Sequence, residues 1–249
     1  MTSAKRTVVL ITGANTGIGL AVAIKLADHG YHVIIGSRNA EAGRQAAAGI
    51  VANGSLASSV QLDVTSDESI AAAVSWIERE FGVLDVLINN AGILIDYVPG
   101  LTDAYKDLST RDLFNQTFST NIIGAACLTE ACLPLLRKSE SPRLIFVSSR
   151  MGSLAEATNK SNMYYSIDYK AYDSSKAALN MLCLNYARIL EDQGAMVNAV
   201  CPGLVNTKLT NHLMGESPEL GAKRIVELAT AEKGGPTATF SDRNGIVPW

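Results

Sequence analysis

The sequence predicts an α/β protein, a doubly wound three-layer fold with a parallel sheet between two helical layers. Three observations carry this. Short apolar runs such as Val8-Val9-Leu10-Ile11 are continuous rather than alternating, as strands buried on both faces are. These runs alternate with segments of helical periodicity, which requires parallel pairing through right-handed crossovers. No internal repeat, low-complexity segment or linker divides the 249 residues, so one domain is expected over 1–249.

Thr7 to Ile11 reads as the first strand. Thr12-Gly13-Ala14-Asn15-Thr16-Gly17-Ile18-Gly19 follows, then helical periodicity from Leu20 to His29, closed near Gly30. Gly13 allows a tight turn; Gly17 and Gly19 let backbone approach a pyrophosphate and let helix pack on strand. The following helix offers free N–H groups to phosphates. A turn that merely connects would use the same letters. Tyr31 to Gly36 is the second strand, ending in Ser37-Arg38, where an acid would bond a ribose 2′-hydroxyl. An arginine there suits a 2′-phosphate and selects NADPH over NADH, unless it is only a solvated loop residue.

Ala40 to Ala52 forms an alanine-rich helix and Ser59 to Leu62 the third strand. Asp63-Val64 lies at its C-terminal end, where ligands gather in open α/β sheets; Asp63 is either a partner for an adenine amino group or a loop acid. Thr65-Ser66-Asp67-Glu68 starts a helix running to about Phe81, with hydroxyls and acids in its first turn. Leu84 to Ile88 is the fourth strand. Asn89-Asn90-Ala91-Gly92 then suits close contact with an adenine ribose and neighbouring backbone, or a plain turn.

Residues 96 to 109 are polar, a loop or short helix. One long helix is expected from Thr110 to about Arg137, with Pro134 near its end. Asn121 is unfavourable inside it, an accident or the mark of a local break that frees a carbonyl for water. Arg143 to Val147 is the fifth strand, with Ser148-Ser149 at its end. A polar stretch containing Met151, Met163, Tyr164, Tyr165 and Tyr169 leads to Tyr172-Asp173-Ser174-Ser175-Lys176, the start of a helix to about Asp192. Tyrosine and lysine four apart share a helix face, and a nearby ammonium favours the phenolate. Such a phenol can exchange a proton with a carbonyl or alcohol oxygen. A packed aromatic and an unrelated lysine give the same spacing. Ala195 to Val200 is the sixth strand, and Cys201-Pro202-Gly203-Leu204-Val205-Asn206-Thr207 turns at its end. Ser217-Pro218-Glu219 starts another helix; Ala238 to Trp249 supplies a last strand and an apolar anchor.

The composition is that of an ordinary folded protein, 47% hydrophobic and 18% charged. A net charge of −3 gives no basic field for nucleic acid. No apolar run approaches bilayer length, and Met1 to Arg6 lead into the first strand without a signal-peptide pattern, so a cytoplasmic location without membrane contact is expected. Cys127, Cys132, Cys183 and Cys201 form no C-x-x-C pair and are expected reduced and buried; His29, His32 and His212 have no metal-ligand spacing.

Thr12-Gly13-x3-Gly17-x-Gly19, Asp63, Asn89-Asn90-Ala91-Gly92, Asn121, Ser149, Tyr172-x3-Lys176 and Pro202-Gly203 with Thr207 together resemble the short-chain dehydrogenase/reductase family, in its order and across nearly the whole chain. The resemblance implies a Rossmann-like fold with a seven-stranded parallel sheet, its cofactor half about 1–142 and its catalytic and substrate half about 143–249. It implies reversible hydride transfer between a nicotinamide cofactor, read as NADP(H) from Arg38, and a carbonyl or alcohol. By the same resemblance Tyr172 is the general acid, Ser149 bonds the carbonyl oxygen, Lys176 tunes Tyr172 and holds the nicotinamide ribose, and Asn121 holds water in a relay to Lys176. Gly13, Asn15, Thr16, Gly17, Ile18, Gly19, Ser37, Arg38, Asp63, Val64, Asn90, Ala91, Gly92, Asn121, Tyr172, Lys176, Pro202, Gly203, Val205 and Thr207 are the implied cofactor contacts.

Two departures matter. The stretch from Ser149 to Tyr172 is longer than is common in the family, which is similar to carbonyl reductases. Asn15-Thr16 lacks the basic residue those enzymes often carry. The leading expectation is an NADPH-dependent reductase of an apolar or aromatic ketone or aldehyde, with Ala155 to Tyr165 and Leu209 to Gly215 lining its pocket. The alternatives are an NAD-dependent alcohol dehydrogenase and a non-catalytic NADP-binding sensor. Homodimer, homotetramer and monomer stay open. No G-x-S-x-G elbow surrounds Ser149, which excludes a serine hydrolase.

Overall fold

The computed structural model describes residues 6–162 and 164–249. Met1 to Lys5, and Met163 of the expected pocket lining, lie outside the described residues.

The sheet contains β1 (Val8–Thr12), β2 (His32–Ser37), β3 (Leu56–Gln61), β4 (Val86–Asn89), β5 (Arg143–Val147), β6 (Met196–Val200), β7 (Thr239–Asp242) and β8 (Gly245–Ile246). Their order is β3-β2-β1-β4-β5-β6-β7-β8, parallel throughout except between β7 and β8. The expected seven strands are there, and the two-residue β8 adds an antiparallel hairpin at the edge. After β3 the chain returns to the other side of β1. The crevice between β1 and β4 is therefore the point where the winding reverses and where ligands bind in such sheets.

Because successive strand residues face opposite sides, each apolar run supplies two cores. Val8, Leu10, Ile34, Leu87, Leu144 and Phe146 face α3 (Asp67–Phe81), α5 (Gly124–Leu136) and α7 (Lys170–Ile189). Val9, Ile11, Val33, Ile35, Ile88 and Ile145 face α1 (Gly17–Asp28), α2 (Ala40–Ala52) and α8 (Pro218–Ala229). Two helix starts carry the side-chain caps expected of them. The Ser66 hydroxyl accepts from the Ser69 N–H and the Ser217 hydroxyl from the Leu220 N–H, with Pro218 in the first turn. The edge strand β3 starts three residues before the expected one. Its residues are half-buried up to the exposed Gln61, and Ser58 and Ser59 interrupt its apolar run, so hydrophobic pattern does not mark where it begins.

The expected long helix is α4 (Thr110–Phe118) and α5 joined by a π-helical turn, Ser119–Ile123. Asn121 sits in that turn, so the expected local break is present. By length and composition the 27-residue stretch Thr110–Leu136 could cross a membrane, against the sequence reading that none does. In the fold its apolar residues Leu128, Cys132, Leu135 and Leu136 are buried in the core. Between β5 and α7 lies a short α6 (Leu154–Ala157). The Ala155 N–H donates to the Trp249 carbonyl at 3.0 Å, and Trp249 stacks on Phe240 at 5.6 Å. The tail is the apolar anchor expected of it.

Candidate active site

The cradle begins where β1 ends. Gly13 and Gly17 have φ of +64° and +57°, the left-handed region that suits glycine. The Ala14 N–H donates to the Gly36 carbonyl at 3.1 Å and pins the loop to β2. The Thr12 hydroxyl accepts from the Asn90 and Ala91 N–H groups at 2.9 and 2.8 Å, tying the loop after β4 to β1. The Asn90 amide donates to the Thr12 carbonyl at 2.8 Å. Asn90 thus reaches the cavity wall while its side-chain amide buttresses the glycine loop, the contact with neighbouring backbone expected of it. A Cβ on Gly19 would lie 2.6 Å from that amide and 2.7 Å from the Gly13 carbonyl oxygen. Only glycine fits.

A cavity of about 550 Å³ opens over this loop. Its walls contain Gly13, Asn15 to Gly19, Ser37, Arg38, Asp63, Val64, Asn90, Ala91, Gly92 and Thr207. The first turn of α1 has no side-chain cap and no acid, so its N–H groups remain for an anion. Left-handed glycines, a wall that excludes Cβ atoms and uncapped donors fit a dinucleotide pyrophosphate. At the far wall Arg38 is exposed, while the Ser37 hydroxyl donates to the Asn39 carbonyl at 2.8 Å. Asp63 Oδ1 accepts from the Thr65 N–H at 2.9 Å, which holds its carboxyl below the usual range, helped by the Arg38 charge.

A second cavity of about 200 Å³ shares Ile18, Asn90, Gly92 and Thr207 with the first. It brings Ser149, Tyr172 and Lys176 together with Pro202, Gly203 and Val205. Met151, Tyr164, Ile167, Leu209 and Met214 give it an apolar lining. Of the described residues in the Ala155 to Tyr165 stretch, only Tyr164 reaches this wall; Ile167 and Tyr169, nearer α7, supply the rest from that loop.

Tyr172 and Lys176 lie one turn apart on α7, with the ammonium 5.4 Å from the phenol ring centroid. Lys176 is buried and donates to the Val147 carbonyl at 2.9 Å. Burial pushes its ammonium down to about 8. Burial also pushes the Tyr172 phenol well above its ordinary value, opposed by the Ser149 hydroxyl. The sequence reading has Lys176 govern the phenol; here desolvation of the phenol, half-buried at the cavity wall, is the larger effect. The Ser148 hydroxyl is buried and donates to Asn180 Oδ1 at 2.6 Å, whereas Ser149 is half-buried beside the phenol. Asn121 lines neither cavity. Its Oδ1 accepts from the Ile93 N–H at 2.8 Å and its Nδ2 donates to Ser175 Oγ at 3.0 Å. Gly92 lies between Asn121 and Lys176: a Cβ there would sit 3.4 Å from Asn121 Oδ1 and 3.5 Å from Lys176 Nζ, ordinary contact distances.

Four supporting residues escape sequence reasoning: Asp96, Gly152, Ser175 and Asn180. A Cβ on Gly152 would lie 2.5 Å from the Lys176 carbonyl carbon, so α7 packs directly on this glycine. Its position soon after Ser148-Ser149 is a signal that could have marked it. The others depend on partners far along the chain.

A model of the family described as short chain dehydrogenase matches residues 7–217. A short-chain dehydrogenase of Penicillium roqueforti is 35% identical over 258 residues, covering 99% of this chain and 98% of that protein. Salutaridine reductase from Papaver somniferum superposes with a TM-score of 0.81 at 26% identity, covering 96% of this chain and 100% of that one. An NADPH-bound carbonyl reductase from chicken fatty liver gives 0.82 at 25% identity, covering 98% and 100%.

Proposed function

The chain belongs to the short-chain dehydrogenase family, and from that premise we propose that it reduces a ketone or aldehyde to an alcohol with NADPH. One observation carries this reading: Ser149, Tyr172 and Lys176 meet in a cavity that shares its wall with the glycine cradle. When bound, the nicotinamide cofactor supplies the hydride. The Ser149 hydroxyl donates a hydrogen bond to the carbonyl oxygen as charge develops on it. Tyr172 delivers the proton that turns that oxygen into a hydroxyl. Lys176, held near neutrality by burial, exchanges protons readily at working pH and restores the phenol. Asn121 ties the π-helical turn to Ile93 and to Ser175, the residue before Lys176. The cradle from Gly13 to Gly19 holds the pyrophosphate, and Arg38 holds a 2′-phosphate at the cavity mouth. The apolar lining favours an aromatic or otherwise apolar carbonyl compound.

The test is NADPH and NADH oxidation against quinones, aromatic ketones and aldehydes. Tyr172→Phe is expected to lower turnover about 1,000-fold with NADPH binding retained. Arg38→Asp is expected to move preference toward NADH. Turnover surviving in Tyr172→Phe would sink the assignment. Activity confined to alcohols with NAD would reverse the direction.

A further inference from the structure

Helix α7 is capped from a distance. Its N-cap residue, Tyr169, makes no side-chain cap bond and instead lines the smaller cavity. The first-turn donors go to Asp96, which is 2% exposed: its Oδ1 accepts from the Ala171 N–H at 2.9 Å and its Oδ2 from the Tyr172 N–H at 3.0 Å. Carboxylate acceptors on backbone N–H groups at a helix N-terminus are strong and directional. Asp96 is itself fixed. Its carbonyl accepts from the Thr102 hydroxyl at 2.6 Å, and that hydroxyl accepts from the Val98 N–H at 2.7 Å.

We infer that Asp96 is a positioning residue for Tyr172, setting the height of the phenol against the cofactor wall. The inference rests on the role proposed above for Tyr172. Both backbone groups of Tyr172 are tied to one short segment after β4. The N–H goes to Asp96. The carbonyl accepts from Ser175 Oγ at 2.7 Å; that hydroxyl accepts from Asn121, and Asn121 exchanges bonds with Ile93. This segment continues directly from Asn90-Ala91-Gly92, of which Asn90 and Gly92 line both cavities. One stretch of chain therefore sets the cofactor wall and the catalytic phenol together. Asp96 lines neither cavity and touches no reacting atom.

The test uses the full-length protein and the panel carbonyl that wild type reduces fastest. Asp96→Asn keeps one acceptor and loses the other. It is expected to lower kcat about 10-fold, with Asp96→Ala lower still, because small displacements of a catalytic group carry large rate costs. KM and NADPH affinity are expected to stay within about twofold, since the binding walls are intact. A lower Tm with kcat unchanged in Asp96→Asn would make Asp96 a plain structural cap and overturn the inference. If neither Asp96 variant folds, Thr102→Val decides: it loosens the loop with the carboxylate in place, and an unchanged kcat overturns the inference. Tyr172→Phe runs alongside. If it keeps full turnover, or if wild type reduces nothing in the panel, the proposed function has failed. Asp96 is then judged by the crystal structure of Asp96→Asn, where a Tyr172 hydroxyl displaced from Ser149 supports positioning and one left in place refutes it.

Discussion

The two ends of the site are built on opposite plans. The cofactor end is defined by atoms that are missing: glycines at 13, 17 and 19 leave room for backbone, and one threonine hydroxyl ties two strands. The end around Tyr172 and Lys176, catalytic in the proposed function, is defined by bonds between buried polar side chains, with Asn121, Ser175, Lys176 and Asn180 each less than a tenth exposed. Burying such groups is costly unless they are paired, and nearly all of these are. The first plan therefore fails by collision, losing cofactor binding and stability together. The second fails by losing chemistry, and the fold can become more stable when it does.

Lys176→Met is the sharpest way to separate the plans. Turnover is expected to fall about 1,000-fold, the middle of the range for a proton-transfer group. Stability moves the other way. The folded ammonium titrates near 8, below the ordinary lysine value of roughly 10.4, so the folded state binds fewer protons than the unfolded one between those values. Lysine at this position thus costs stability fully below pH 8, and the cost disappears as pH rises toward that of free lysine. The variant is expected to melt higher than wild type at pH 7, with the gap closing in alkali. A lower Tm at pH 7 would break the comparison.

Gly19→Ala probes the other plan and is expected to cost both properties. The added methyl would meet the Gly13 carbonyl oxygen at 2.7 Å and the Ala14 Cα at 2.9 Å, which are backbone atoms with no rotamer to yield. Overpacking of this kind costs about 1–3 kcal/mol. Calorimetry should show a lower Tm and weakened NADPH binding together. Weak binding with an unchanged Tm would mean that the loop yields and that the cradle is softer than its packing suggests.

The same contrast explains what could be read in advance. A glycine requirement is local, so the spacing of Gly13, Gly17 and Gly19 after an apolar run was enough to place the cradle. The Ser217-Pro218 helix start was legible for the same reason. Tyr172 and Lys176 were legible because four residues make one helical turn. Asp96 was not, because its partner Ala171 lies 75 residues away and nothing near Asp96 signals the contact. The particular acceptor of the Asn90 amide, the Thr12 carbonyl, was not legible for a related reason: it lies 78 residues away. Short elements such as α6 and β8 carry too few residues to show periodicity. The balance between burial and Lys176 at the Tyr172 phenol depends on packing from several elements, which no spacing encodes.

The smallest effect tests the one imperfect bond set at the catalytic end. Asp173 follows Tyr172, and its Oδ1 is buried without a partner. Burial pushes its carboxyl up to about 7, and the nearby Asp96 and Asp168 charges add to this. An unfolded aspartate titrates near ~3.9, so between these values the folded state holds a proton that the unfolded state has released. Stability then falls as pH rises through that window and stays low above it. Asp173→Asn removes the penalty, so its Tm should exceed that of wild type by more at pH 8 than at pH 5, with turnover little changed because Asp173 lines neither cavity. An equal gap at both pH values would mean that the asparagine gains a hydrogen bond rather than relieving a charge. Repeating the pair of measurements in Asp96→Asn sharpens the result: with the Asp96 charge gone, Asp173 should titrate lower and the pH-dependent part of the gap should shrink.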